Sequence, residues 1–226
     1  MCGDVAGSVA KLSVYRLAAD QGDADALCNL GTMHANGEGV PKNAQKAVKF
    51  FRRAAGQGHA DAQYNLGWMH ENGEGVAKDI DEAIRLYSLA ADQGDTDAQY
   101  NLGVMYHYGR GVPRDTAAAV RLYRLAAAQG DAQAKCNLGT MYANGEGVPR
   151  DVDEAARLYR LAAEKGDAQA QYNLGMMYSS GQGVAKDVEE VVRLHRLAAD
   201  QGHAEAMLSL SHLGRENGDD KKRRKR

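Results

Sequence analysis

A 36-residue pattern, clearest at residues 60–95 as ADAQYNLGWMHENGEGVAKDIDEAIRLYSLAADQGD, runs five times in tandem from Ala24, Ala60, Thr96, Ala132 and Ala168. Nothing is inserted between the copies, so equivalent residues stand 36 positions apart. A fixed period of this length marks stacked supersecondary units, none of which can bury its apolar face alone. A chain of 226 residues leaves room for one domain or two. The unbroken period argues for one. Such arrays present a long surface to something else, so recognition is the expected work.

Each copy reads as two helices. The first opens after Asp23, Asp95, Asp131 or Asp167, whose carboxylates can accept the free N–H groups of a first turn. His59 and His203 are weaker substitutes. Apolar residues follow at helical spacing, as at Ala62, Leu66 and Met69, for about thirteen residues. Gly37, Gly73, Gly109, Gly145 and Gly181 stop this helix, because glycine is favoured where a helix closes in the left-handed region. A second glycine and a valine come next, the valine expected to plug the loop into the core. Asn43, Asp79, Asp115, Asp151 and Asp187 cap the second helix, and Glu82, Glu154 and Glu190 stand where a capping box would place them. That helix finishes at Gly58, Gly94, Gly130, Gly166 or Gly202.

Gly31, Gly67, Gly103, Gly139 and Gly175 fall inside the first helix, where glycine costs about 1 kcal/mol against alanine. Close approach of the second helix would offset that. The position becomes Ser211 in an unfinished sixth copy, which no second helix follows. Residues 6–22 match the second half of the pattern. The expected organisation is therefore an N-terminal capping half repeat (1–23), five repeats (24–59, 60–95, 96–131, 132–167 and 168–203) and a C-terminal half repeat (204–214) whose helix runs from Ala204 to Leu213. A disordered basic tail (215–226) is expected to follow, and Cys2 to lie in a frayed terminus.

The residues L-G-x-x-Y or H, then G-x-G-V, then D, then A-A-x-x-G resemble the Sel-1-like repeat (SLR), a relative of the tetratricopeptide repeat with a longer loop, over residues 6–214. The resemblance implies an all-α fold, a right-handed α/α superhelical solenoid of five full 36-residue repeats plus a half repeat at each end. It also implies a non-enzymatic adaptor or scaffold that holds a peptide or partner protein in a concave groove lined by the first helices. A secreted, cysteine-rich branch of the family binds β-lactam compounds. Its paired cysteines within each repeat are missing here, so a small-molecule-binding or β-lactamase-like reading is a lesser alternative.

In the related tetratricopeptide fold the residue before Leu-Gly faces the concave side, where a ladder of asparagines can hold the backbone of an extended peptide. The residues at that position are Asn29, Asn65, Asn101, Asn137 and Asn173, with Ser209 in the unfinished copy. A carboxamide both donates and accepts, so it can pair with peptide N–H and C=O groups without demanding a particular side chain. Helical spacing puts Asp61, Trp68 and Asn72 on the same face of the second copy, Asp97, Val104 and Tyr108 in the third, and Gln169 and Met176 in the fifth. Trp68 is the single tryptophan, and large aromatics often anchor interfaces. The competing reading is that the asparagines bond to neighbouring helices and brace the stack.

Net charge is −2, but Lys221, Lys222, Arg223, Arg224, Lys225 and Arg226 form an unbroken basic run, and the rest carries 22 basic against 30 acidic residues, or −8. A body of that sign fits phosphate backbones poorly. An RNA-reading helical repeat is accordingly an alternative only, and no nucleic acid is expected on the body. The basic run reads as a nuclear-localisation or anionic-surface patch, or as a solubilising tail. No run approaches a membrane span and no apolar leader opens the chain, so a cytoplasmic or nuclear location is expected. Cys28 and Cys136 share one repeat position three repeats apart, too far for a disulfide.

Catalytic signatures are weak. Ser8-Val9-Ala10-Lys11 fits S-x-x-K but lacks the S-D-N and K-T-G companions. The G-E-G-V loops lack the Lys-Ser/Thr of a phosphate loop. His34 and His70 replace tyrosines 106, 142 and 178, and His195 replaces Tyr159, so all three read as packing residues. Lys49, Arg85, Arg121, Arg157 and Arg193 form a basic stripe on the second helix, with Glu three residues before the arginine in three copies, an ordinary helix-surface pairing. No catalytic residue, metal or cofactor is expected. Self-association through the C-terminal half repeat is a further partner reading.

Overall fold

A computed structural model describes the backbone of residues 5–223 and the side chains of residues 11–213. Cys2, the side chain of Ser8 and the tail residues 224–226 lie outside the described residues, as do the side chains of Lys221, Lys222 and Arg223. The described residues form twelve α-helices in two compact units, Met1–Arg114 and Asp115–Arg226. The first holds α1 (Val5–Asp20), α2 (Ala24–Asn36), α3 (Ala44–Ala55), α4 (Ala60–Asn72), α5 (Ile80–Asp92) and α6 (Thr96–Tyr108). The second holds α7 (Thr116–Ala128), α8 (Ala132–Asn144), α9 (Val152–Glu164), α10 (Ala168–Ser180), α11 (Val188–Asp200) and α12 (Ala204–Arg223). The period alone argued for one domain. In a stacked array each unit packs on its sequence neighbours, so compactness is a local property. The backbone of α12 is helical to Arg223, past Leu213, where the expectation ended it.

The caps follow the sequence closely. Asp23 accepts from the Ala26 N–H at 2.7 Å and Asp95 from the Ala98 N–H at 2.7 Å. The histidine substitutes are looser: Ala62 N–H donates to His59 Nδ1 at 3.3 Å, and Ala206 N–H to His203 Nδ1 at 3.4 Å. Gly37 closes α2 in the left-handed region at φ 80°, its N–H on the Met33 carbonyl.

The capping box does not close. The Asp79 N–H, which Glu82 would have to reach, donates instead to the His70 carbonyl at 2.9 Å, and Asp151 and Asp187 do the same to Tyr142 and Tyr178. With that donor taken, Glu82 accepts two hydrogen bonds from Arg85, both at 2.7 Å, and Glu154–Arg157 and Glu190–Arg193 repeat the pairing. The N-cap backbone of the second helix thereby ties the loop to the end of the first.

The glycines inside the first helices have the cause the sequence suggested. A Cβ on Gly31 would lie 2.5 Å from Phe51 Cε1, one on Gly67 3.0 Å from Tyr87 Cδ1, and one on Gly139 2.9 Å from Tyr159 Cε1. The aromatic of the second helix thus occupies the space a side chain would need at these positions. Between copies the second loop glycine does similar work: a Cβ on Gly75 would collide with the Ala44 carbonyl at the start of α3, and one on Gly147 would lie 2.5 Å from the Thr116 carbonyl of α7. Val40 and Val76 pack against the core from these loops.

His34, His70 and His195 are buried, as packing residues should be. His195 is wholly enclosed in α11, with its ring 5.1 Å from that of Tyr172. Burial, the largest effect, pushes its pKa below the ordinary 6.5, helped by nearby His203 and opposed by the Tyr172 carbonyl. The unfolded chain therefore takes up this proton first as pH falls, so the stabilisation is complete above pH 6.5 and is lost as pH drops toward the depressed folded value. His195→Tyr, which copies the Tyr64–Tyr87 pairing of an earlier repeat, is expected to flatten the fall in melting temperature between about pH 7.5 and 5.5. Parallel profiles for the variant and the parent would exclude His195 as a source of the acid sensitivity.

Candidate interaction surface

The first helix of a copy buries one side and leaves the other open. In α4 the buried set is Ala62, Gln63, Leu66, Gly67, Met69 and His70. The intervening 3.6-residue phase puts Asp61, Trp68 and Asn72 on the exposed side, with Asn65 half-buried beside them. Trp68 is 41% exposed. A cavity of about 170 Å³ lies between α2 and α4, walled by Asn65, Trp68, Phe51 and Met69, and bounded on its loop side by the Lys42–Glu74 ion pair at 3.2 Å. Asn72 Nδ2 donates to the Trp68 carbonyl at 2.8 Å.

The asparagine ladder is not uniform. Asn29 and Asn65 each donate to the carbonyl four residues earlier, on Asp25 and Asp61, at 2.8 and 2.7 Å. Among the described residues, no protein group donates to their carboxamide oxygens. Asn101 instead sits against the hydroxyls of Tyr64 and Tyr87 and opposes the upward pull of burial on both phenols. Asn173 accepts from Gln169 Nε2 at 3.0 Å and points its amide at Cys136 Sγ, 3.9 Å away on α8. Asn137 is half-buried on α8. The bracing role thus falls on Asn101 and Asn173, while Asn29 and Asn65 keep acceptors open.

On α6, Asp97 is exposed and Val104 half-buried, and Tyr108 is 59% exposed with the Arg110 guanidinium 5.3 Å from its ring. Asp25, Asp61 and Asp97 give this face of the first unit a negative field. Cys28 registers it: burial first, then Asp61 and Asp25, push its thiol up to about 12. Cys136 is also pushed up, chiefly by burial. Neither thiol is a nucleophile at neutral pH. In the second unit Gln169 is engaged by His203 Nε2 at 3.1 Å, and Met176, 45% exposed, lines a cavity of about 480 Å³ between α10 and α12 with Tyr172, Ser179 and Leu208.

Reasoning from the sequence overlooked a set of buried glutamines. Gln63, Gln99 and Gln171 are no more than 4% exposed and donate to the carbonyls of Ala55, Ala91 and Ala163 on the preceding second helix. Gln63 and Gln171 also accept from Gln93 at 2.7 Å and Gln201 at 2.9 Å. The visible signal was a glutamine recurring at one repeat position amid alanines.

No group of three or more His, Cys, Asp or Glu side chains that could hold a metal ion occurs among the described residues, nor does a helix long and apolar enough to cross a membrane. One face of the first unit thus carries exposed Trp68, the open acceptors of Asn29 and Asn65, and exposed Asp61 and Asp97.

The family model for the Sel1 repeat matches residues 24–59, 60–95, 96–131, 132–167 and 168–203. Among solved structures, the chain is similar to c5321, a protective antigen of uropathogenic Escherichia coli displaying an SLR fold, at 39% identity and TM-score 0.84 over 89% of this chain. It spans only 43% of that protein's length. It is also similar to a Sel1 repeat protein from Oxalobacter formigenes, at 35% identity and TM-score 0.80, covering 84% of this chain and 76% of the other. No curated protein matches.

Proposed function

The chain belongs to the Sel1 repeat family, and we propose that it is a non-catalytic scaffold whose first helices hold an extended peptide segment of a partner protein. Sel1 repeat proteins are generally protein-interaction scaffolds. The observation that carries the narrower reading is the pairing of exposed Trp68 with Asn65 at one cavity, an apolar anchor beside an open acceptor. Asn29 supplies the same acceptor one copy earlier. Asp25, Asp61 and Asp97 favour a segment carrying Lys or Arg. The basic run Lys221–Arg226 is proposed as a targeting or anionic-surface element separate from this groove, in keeping with a cytoplasmic or nuclear home.

Peptides selected from a random display library against the whole chain would test the reading. Trp68→Ala and Asn65→Ala are expected to weaken the selected peptides by about tenfold or more while the melting temperature moves little, since both side chains are exposed or half-exposed. Asn101→Ala is expected to do the opposite. A selection that yields no binders, or binders indifferent to Trp68→Ala, would remove the groove from consideration.

A further inference from the structure

Three of the five full copies seal their junction with the preceding second helix through a buried glutamine, Gln63, Gln99 or Gln171. The fourth copy departs from this. Its residue at that position is Lys135, and the residue equivalent to Gln93 and Gln201 is Lys165. An ammonium donates but cannot accept, so these two lysines cannot form the bridge that Gln93 makes to Gln63. Lys135 is half-buried and lines a cavity of about 300 Å³ enclosed by α7, α8 and α9.

The next junction provides an internal comparison. There the equivalent cavity, of about 180 Å³, is lined by two cations, Arg160 and Arg193, and two carboxylates, Glu164 and Glu190. Around the larger cavity stand three cations, Arg124, Lys135 and Arg157, against Glu154 alone, because Ala128 replaces the equivalent of Glu164. Glu154 is already engaged by Arg157 at 2.6 Å. Arg124 donates to the Tyr142 hydroxyl at 2.7 Å, with its guanidinium 5.7 Å from the centre of that ring. Leu138, Leu158 and Leu161 supply apolar wall. Half-buried Lys135 and exposed Arg124 thus face this pocket without carboxylate partners among its lining residues, so an anion placed there meets net positive charge.

We propose that the cavity between α7, α8 and α9 binds a carboxylate side chain of a partner peptide, with Lys135 and Arg124 as its cationic partners and the leucines receiving an adjacent apolar side chain. This site is independent of the first-helix groove. It gives the scaffold a second, oppositely charged point of attachment.

The test uses the whole chain and a fluorescein-labelled peptide of alternating leucine and glutamate, with a matched leucine–glutamine peptide and inorganic phosphate as the other arms. The glutamate peptide is expected to bind and to shift the amide resonances of Lys135 and Tyr142. Lys135→Gln, which installs the residue of three sister copies and so keeps the fold, is expected to weaken that binding about tenfold or more. The double change Lys135→Gln with Lys165→Gln is expected to raise the melting temperature while abolishing binding, a combination that a purely structural role for Lys135 would not give. The proposal is overturned if the glutamate peptide does not bind, if the glutamine peptide binds equally, if Lys135→Gln leaves affinity unchanged, or if phosphate alone is taken up at these residues.

Discussion

Leu102→Ala is expected to destabilise the chain by about 2–5 kcal/mol, the cost of truncating a packed leucine and leaving its cavity. Leu102 is 5% exposed and lies on α6, in the third of the five full copies. Its equivalent in α12, Leu210, is only half-buried. Leu210→Ala should therefore cost distinctly less, since part of that side chain already meets water. Stability in a stacked array is close to a sum of unit and neighbour terms, so the two substitutions report on the middle and on the last helix separately. Denaturant midpoints of the two variants and the parent provide the measurement. Were Leu210→Ala the more damaging, α12 would be a principal source of stability, contrary to its burial.

Gly31→Ala is expected to destabilise, although the same change at an unobstructed helical site would stabilise by about 1 kcal/mol. The new methyl would sit 2.5 Å from Phe51 Cε1 and 2.6 Å from Cδ1. Phe51 is 2% exposed and lies within the core of the first unit, so it has little room to retreat. Overpacking of this kind typically costs about 1–3 kcal/mol. The companion change Phe51→Leu removes the ring edge that the methyl meets, so the pair should couple: Gly31→Ala should be less harmful, or even favourable, in the Phe51→Leu background. A double-mutant cycle by thermal or denaturant melting decides it. Strict additivity would mean that Gly31 is there for some reason other than Phe51.

Ser211 occupies the equivalent position on α12. A second helix lying on α12 as closely as α3 lies on α2 would meet the serine side chain. Inside the first helices, glycine is needed where an aromatic from the partner helix approaches the backbone, as at Gly31, Gly67 and Gly139.

Sequence by itself determined the elements and their order. The 36-residue period, the aspartate and histidine caps, the left-handed glycines that end the first helices and the buried apolar phase of α4 all depend on residues within a turn or two of each other, or on exact repetition. Short-range rules of capping and helical phase suffice for such features. The resemblance to the Sel-1-like repeat supplied the fold, and the family match bears it out.

What the tertiary structure alone decided is how identical residues are used in different copies. The spacing offered Glu82 both a capping box and a pair with Arg85; the Asp79 N–H is given to His70, which leaves the carboxylate to Arg85. Asn65 and Asn101 occupy the same repeat position, yet one keeps an open acceptor and the other sits against two tyrosine hydroxyls. Lys135 stands where three sister copies carry a bridging glutamine, and there it lines a cavity of about 300 Å³. In each case the partner a group takes is set by groups that come together across a loop or from adjoining copies. A hydrogen bond is won by whichever partner the packed backbone brings within about 3 Å, and that proximity is a property of the folded stack rather than of any local run of residues.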